Sequence, residues 1–229
     1  MKIRDLNIQD KWLYLSIIFL GVYLIIRFVD QLKLIYIFPL EATSDFPAHM
    51  AQLYFLVKYG YHHLVPIWFK GFILFQFYPP GWYFFTLPIY LLIKNVQIST
   101  YVSLILMLII GFISISILGK TQKFSLTKRV FIFLLLFANA MSIGNFVRTG
   151  RVTEMFAWLN FIFLMTLLFY YKDRGLDKKF IILLIIFYTI LIFSHPAVTI
   201  LFSIMLIFFL IIKNDIKERM KIVLASIVA

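Results

Sequence analysis

Apolar residues run along this chain in blocks too long and too uniform for a fold that faces water. The blocks cover roughly 12–38, 99–119, 129–146, 154–171, 179–194 and 197–213, with a further apolar start at 221–229 that is too short to cross a bilayer. Several approach or exceed the ~18 residues that a membrane-spanning helix needs. None alternates with period two, and an open sheet would leave backbone groups unpaired in lipid. The pattern therefore predicts an all-α, polytopic transmembrane helical bundle. Met1–Lys11 is polar and no small-residue cleavage site follows Trp12–Ile26, which predicts a retained first span rather than a signal peptide. Residues 1–229 read as one transmembrane domain without internal repeats. The chain stops inside an apolar run, as the N-terminal module of a longer protein would.

One apolar stretch resists this description. Pro79–Lys94 is short for a span and carries Pro88 in its interior, where proline breaks the helical hydrogen-bond ladder. If it crossed, the loops holding Lys120, Lys123, Lys128 and Arg129 and then Lys172, Arg174, Lys178 and Lys179 would be external, against the tendency of basic loops to stay inside. If it lies in the outer interface, those eight residues join Lys2, Arg4, Lys11, Lys213, Lys217, Arg219 and Lys221 on the cytoplasmic side. That is 15 of the 22 lysines and arginines. The second topology is the one predicted, with a cytoplasmic N-terminus and a long external loop over 39–98 that carries interfacial helices.

Composition supports the same class: 63% of residues are hydrophobic and only 14% charged, against about a quarter charged in soluble domains. The net charge of +12 is scattered through short loops between apolar runs, so it marks loop orientation and does not indicate a nucleic-acid partner. No cysteine is present, which removes disulfides, thiolate metal sites and thiol nucleophiles.

The predicted topology collects ionisable groups on the outer face: Asp45, His49, His62, His63, Arg148, Arg151, Glu154 and His195. Such groups at membrane depth are costly and point to a site. Asp45 precedes Pro47 and a helix running to about Lys58, so it is placed to cap that helix. His49, one turn later, is placed to share a proton or a cation with it. Arg148, Arg151 and Glu154 recur every three residues. They read either as an ion pair at a helix start with Thr153 capping, or as an arginine fork for phosphate or carboxylate beside an acid. His62 and His63 with His49 or His195 offer a weaker zinc reading. His195 also reads as a helix terminator ahead of Pro196. The tract Tyr78, Trp82, Tyr83, Phe84, Phe85 reads as an interfacial belt or as the wall of a lipid-chain groove.

The succession Asp45-Phe-Pro-Ala-His49, Pro66-Ile-Trp68, Gly71 and Tyr78-Pro-Pro80-x-x-Tyr83 resembles the GT-C superfamily of polyprenyl-phosphate-dependent glycosyltransferases. Within it, the likeness is to membrane proteins catalogued as "6-pyruvoyl-tetrahydropterin synthase-related" and to the YfhO-like group, over about residues 12–200. The resemblance implies six to seven spans and a first external loop with membrane-embedded jaw helices. It implies that Asp45 serves as catalytic base or cation ligand and that Arg151 and Glu154 are the Arg and acid opening a later span. His49 and His195 match recurring positions. Active relatives add further spans and often a soluble domain, so a missing C-terminal part or a partner subunit is expected.

The function expected on this basis is sugar transfer from a polyprenyl-phosphate donor at the outer face. Asp45 and Glu154 are the catalytic candidates. Arg148, Arg151, His49, His195, Tyr78 and Trp82 are the lipid-phosphate and substrate-binding candidates, with Lys58 and Lys70 behind them. A divalent cation, Mg or Mn, at Asp45, Glu154 or both is compatible with this chemistry and not required by it. The rivals are a transporter or lipid-binding protein, which would favour mid-span charges and inverted halves, and a non-catalytic scaffold.

Overall fold

Read from the N-terminus, a computed structural model describes residues 8–39 and 44–229. Lys2 and Arg4 lie outside the described residues. A long helix, α1 (Ile8–Asp30), is continued by a short α2 (Lys33–Tyr36). The loop region holds α3 (Phe46–Tyr59), a two-residue antiparallel ribbon β1 (Leu64–Val65) and β2 (Phe72–Ile73), and α4 (Gly81–Ile93). Then follow α5 (Val96–Thr121), α6 (Leu126–Phe137), α7 (Ala140–Ser142) with a π-helical turn over Ile143–Thr149, α8 (Val152–Tyr171), α9 (Lys178–Ile192), α10 (Pro196–Ile212) and α11 (Ile216–Val228). The expected all-α fold is present.

Local chemistry sets several of these boundaries. Asn95 accepts from the Ile98 N–H (3.0 Å) to open α5, and Asp177 from the Phe180 N–H (2.8 Å) to open α9. Asp215 accepts from the Lys217 N–H (2.9 Å) at the start of α11. Each satisfies a donor that the first helical turn leaves orphaned.

Three stretches are long and apolar enough to cross a membrane: Lys11–Tyr36, Val96–Thr121 and Val152–Tyr171. A fourth is the pair Leu126–Phe137 and Ala140–Thr149, bent by 48° at the break between them. The six to seven spans expected include α9, 15 residues long, and α10, 17 residues long, both below the ~20 residues of a typical span. α8 is the central wall. Val152, Met155 and Leu159 pack into one core with α3, α4, α5 and α6, while Leu164, Leu167 and Tyr171 pack into a second with α9, α10 and α11. α1 lies outside: Phe19 is 66% and Ile25 64% exposed. A helix apolar all round and this open requires lipid as its solvent.

Contacts sort the chain into two ends. At one, Gln97 donates to the Leu34 carbonyl (3.0 Å), the Gly81 N–H to the Phe193 carbonyl (2.6 Å) and the Asp45 N–H to the Thr149 carbonyl (2.6 Å). These bonds join the end of α2, the starts of α3, α4 and α5, and the turns before α8 and α10. At the other end, Lys213 Nζ donates to the carbonyls of Tyr171 (2.8 Å) and Arg174 (2.6 Å), and Glu218 accepts from the Leu176 N–H (2.8 Å). A cavity lined by Thr121, Tyr171 and Lys179 brings the end of α5 to the same place. The basic loops thus share one end, opposite the candidate site residues.

α4 does not cross. Its 13 residues extend about 20 Å at 1.5 Å per residue, short of the ~30 Å hydrocarbon core. Its start meets Phe193 and its end leads directly into α5, so both termini lie at the same end of the bundle. The absence of native cysteine makes a labelling test direct. Single cysteines at Phe69 and Asn95 are expected to react with a membrane-impermeant maleimide from one side, and one at Lys123 from the other. Labelling of Phe69→Cys and Asn95→Cys from opposite sides would show that α4 spans.

Candidate functional site

The site is organised around the turn between the π-helix and α8. The Thr149 carbonyl accepts from the Asp45 N–H (2.6 Å) and from the Ser44 hydroxyl (3.3 Å), which fastens the start of α3 to this turn. Gly150 makes the turn with φ +83°, and a Cβ there would lie 2.5 Å from Cδ2 of Phe46. Only glycine permits both the left-handed backbone and the approach of the Phe46 ring.

Asp45 does not cap α3 as its position suggests. Its own backbone is helical (φ −83°, ψ −12°) and its carboxylate makes no capping bond, because a capping side chain needs the extended backbone of a true N-cap. The Ser44 hydroxyl takes that place, accepting from the Phe46 N–H (3.3 Å). The Asp45 carboxylate is exposed and has no ion pair among the described residues. It lies near enough to Tyr78 and Tyr83 to disfavour their ionisation.

His49 does not share a proton with Asp45 either. Its Nδ1 is 2.7 Å from the Tyr83 hydroxyl, which donates in turn to Gln52 Oε1 (2.9 Å). With the Tyr83 proton directed to Gln52, the imidazole donates from Nδ1, and Nε2 is left as an acceptor. The ring is packed by Tyr78 (5.9 Å), Trp82 (5.7 Å) and Tyr83 (5.8 Å), and burial lowers its pKa from 6.5 to about 4. His49 is therefore a neutral hydrogen-bonding group at physiological pH.

Tyr78 links this group to α8. Its hydroxyl is 2.7 Å from the Thr153 hydroxyl, so Thr153 bonds across to Tyr78 where a cap was expected. Burial raises the Tyr78 pKa, and the Asp45 and Glu154 carboxylates push the same way against the opposing Thr153 hydrogen bond and Arg151. Arg151 and Glu154 form the expected i, i+3 pair at 3.6 Å, and Trp158 Nε1 donates to Glu154 (3.4 Å). Asp45, His49, Tyr78, Arg151 and Glu154 are thus gathered at one end of the bundle.

Beside Glu154 opens a groove of about 460 Å³, walled by Phe137, Met141, Phe146, Trp158, Phe161 and Ile162. The break in the fourth apolar stretch forms its rim. Asn139 Nδ2 donates to the carbonyls of Leu135 (2.8 Å) and Leu136 (3.2 Å), and the Ser142 hydroxyl to that of Leu136 (2.5 Å). Carbonyls released from the helical ladder are thereby satisfied, as irregular backbone at membrane depth requires. The π-helix that follows is a form found often at functional sites.

The arginine fork is not assembled. Arg148 lines a separate cavity with Lys33 and Gln31, while Arg151 turns to Glu154. His195 does not terminate α9; it precedes α10, makes no capping bond, and its Nδ1 is buried without a partner. Trp82 and Tyr83 are fully buried and form no interfacial belt, whereas Phe84 is exposed. His63 donates from Nδ1 to the Tyr59 carbonyl (2.5 Å), and no three His, Cys, Asp or Glu side chains converge among the described residues. The zinc reading is not supported by this arrangement.

No known protein family, curated protein or solved structure matches this chain. Its site is read from its own residues. Sequence reasoning passed over Gln52, Gln31 and the break at Asn139. Gln52 lies three residues after His49, on the same helical face, and Asn139-x-x-Ser142 is a helix-start signature inside an apolar run.

His49 carries a pH prediction. An unfolded chain protonates this residue near 6.5 and the folded one only near 4, so stability is full above 6.5 and falls as pH drops through that window, by up to about 3 kcal/mol. Unfolding temperatures in detergent across this range should show the loss, and His49→Asn, which keeps a donor for Tyr83, should flatten it. An equal pH slope in the variant would assign the loss to other groups.

Proposed function

We propose that this chain is a GT-C-like membrane glycosyltransferase module that moves a sugar from a polyprenyl-phosphate donor at the outer membrane face. The observation that carries the reading is the Asp45 carboxylate. It is exposed, free of capping bond and of ion pair among the described residues, and grouped with Tyr78, Arg151 and Glu154 beside an apolar groove.

In this reading Asp45 accepts the proton of an acceptor hydroxyl as its oxygen bonds to the anomeric carbon. The bond from that carbon to the phosphate oxygen breaks, the lipid phosphate departs with the electron pair, and the anomeric configuration inverts. General-base assistance of this kind contributes roughly 10²–10⁴-fold. Arg151 stands where charge develops on the phosphate, held in place by Glu154. The groove accommodates the prenyl chain. Among the described residues neither carboxylate is joined by further acidic or imidazole ligands, and Glu154 is engaged by Arg151 and Trp158, so Asp45 acts in this reading as a base and not as a cation ligand.

The same reading takes the basic end as cytoplasmic, with a cytoplasmic N-terminus, under the positive-inside rule. It takes α9 and α10 as short spans that bring the crossings to six, and α3 and α4 as jaw helices. A missing C-terminal part or partner subunit would complete the acceptor site. A second reading, lipid binding or transport without chemistry, is favoured by the pairing of Glu154 with Arg151 at the groove, since a neutralised acid can hold a head group without reacting.

Radiolabelled polyprenyl-phosphate sugars incubated with the reconstituted chain test these readings. Transfer is expected in wild type and a loss of at least roughly 10²-fold in Asp45→Asn, with folding unchanged by circular dichroism. Full activity in the variant would remove Asp45 from the reaction. Saturable lipid binding without transfer would favour the second reading.

A further inference from the structure

A crevice of about 280 Å³ opens at the basic end of the bundle, opposite the groove beside Glu154 and sharing no residue with it. α5 and α9 both pack on α8, and the space between them is walled by one face of each helix. α8 contributes Phe163, Thr166 and Tyr170, and α9 contributes Lys179, Leu183 and Phe187, at the intervals of three and four residues that align side chains on a helix. Thr121 closes the side of α5.

The crevice is apolar within and charged at its mouth. Phe163 and Phe187 stack at 5.1 Å at the deep end, about 12 Å along their helices from Tyr171 and Lys179 at 1.5 Å per residue. That depth is comparable to one leaflet of a ~30 Å hydrocarbon core. The wall hydroxyls are satisfied within the fold: Thr166 donates to the Ile162 carbonyl (2.8 Å), Thr121 to the Leu118 carbonyl (2.6 Å) and Tyr171 to Asp177 (2.8 Å). Below the mouth the walls therefore suit a hydrocarbon chain and not a polar ligand.

Two cations stand at the mouth. Lys179 lines it with an exposed side chain, and the Arg174 guanidinium lies 3.9 Å from the centroid of the Tyr170 ring on the same rim. Neither makes a salt bridge among the described residues. Asp177, the carboxylate that interacts with Lys179, is itself held by the Phe180 N–H and the Tyr171 hydroxyl, both at 2.8 Å. Exposed Lys120 and Lys172 flank the mouth in sequence, so positive charge prevails there despite Asp173 and Asp177. A helix from a second copy would bring these cations against another chain of net charge +12, whereas an anionic lipid supplies the opposite charge and the hydrocarbon together.

We propose that this crevice binds an anionic phospholipid from the leaflet at the basic end, with a stretch of one acyl chain against the Phe163–Phe187 wall and the phosphate held at the mouth by Arg174 and Lys179. Basic pockets between membrane helices are suited to such head groups. The assignment stands whether or not the chain transfers a sugar, since it uses neither Asp45 nor the groove.

Native mass spectrometry of the full chain in detergent tests this, with phosphatidylglycerol and phosphatidylcholine of identical acyl chains as probes. Wild type is expected to hold phosphatidylglycerol roughly tenfold more tightly, and Arg174→Ala/Lys179→Ala to hold the two lipids alike. Both side chains are exposed, so the variant keeps the fold. Leu183→Trp, which fills the crevice and keeps both cations, is expected to weaken phosphatidylglycerol binding as well. A phosphatidylglycerol bearing a diazirine in its acyl chain is expected to label Phe163, Leu183 or Phe187 in wild type, competed by the unlabelled lipid. Equal retention of the two lipids by wild type, or an undiminished preference in the double variant, overturns the proposal. Label spread evenly over the lipid-facing helices overturns it too, leaving a general surface attraction without a site. A stable dimer that excludes the label assigns the crevice to a second copy and likewise overturns it.

Discussion

The Thr149 carbonyl is the junction on which the site depends. It closes the π-helical turn of the fourth apolar stretch and accepts from both Asp45 and Ser44 (2.6 and 3.3 Å). One acceptor thus ties the long loop after α1 to the turn that bears Arg148, Arg151 and Glu154. Gly150, with its left-handed backbone beneath the Phe46 ring, makes that approach sterically feasible. Without this junction Asp45 would lose the backbone tie that holds the start of α3 to the turn before α8.

The polar requirements of a lipid-facing fold then shape everything near the junction. Backbone groups released by the break at Asn139 are satisfied by Asn139 and Ser142, and the opened helix becomes the rim of a groove. Lys213 at the opposite end is satisfied by two carbonyls and by Glu218 at 3.4 Å. Buried polar groups at that end serve to hold turns together. At the site end several remain unpaired, among them Gln31 Oε1, Trp82 Nε1 and His195 Nδ1.

Much of the fold was legible in the sequence because lipid imposes a coarse rule. Apolar length sufficed to find the long helices, and the placement of Lys120 to Arg129 and of Lys172 to Lys179 sufficed to gather the basic loops at one end. The candidate site was legible as a set of residues and not as a set of bonds. Spacing gave the Arg151–Glu154 pair, since i, i+3 neighbours on a helix are local. It misassigned Asp45 and Thr153, because capping depends on backbone angles that residue type does not determine. It missed the bond from His49 to Tyr83, which joins residues 34 positions apart, and it grouped Arg148 with Arg151, although Arg148 lines a separate cavity while Arg151 pairs with Glu154.

Photo-crosslinking with a diazirine-bearing polyprenyl phosphate, mapped by peptide mass spectrometry, asks whether the polar cluster at the loop end and the groove beside Glu154 form one lipid-phosphate site. Saturable labelling is expected at Met141, Phe146, Trp158 or Phe161, competed by unlabelled lipid. Labelling concentrated at the opposite end, in the cavity lined by Thr121, Phe163 and Phe187, or no competable labelling at all, would contradict it.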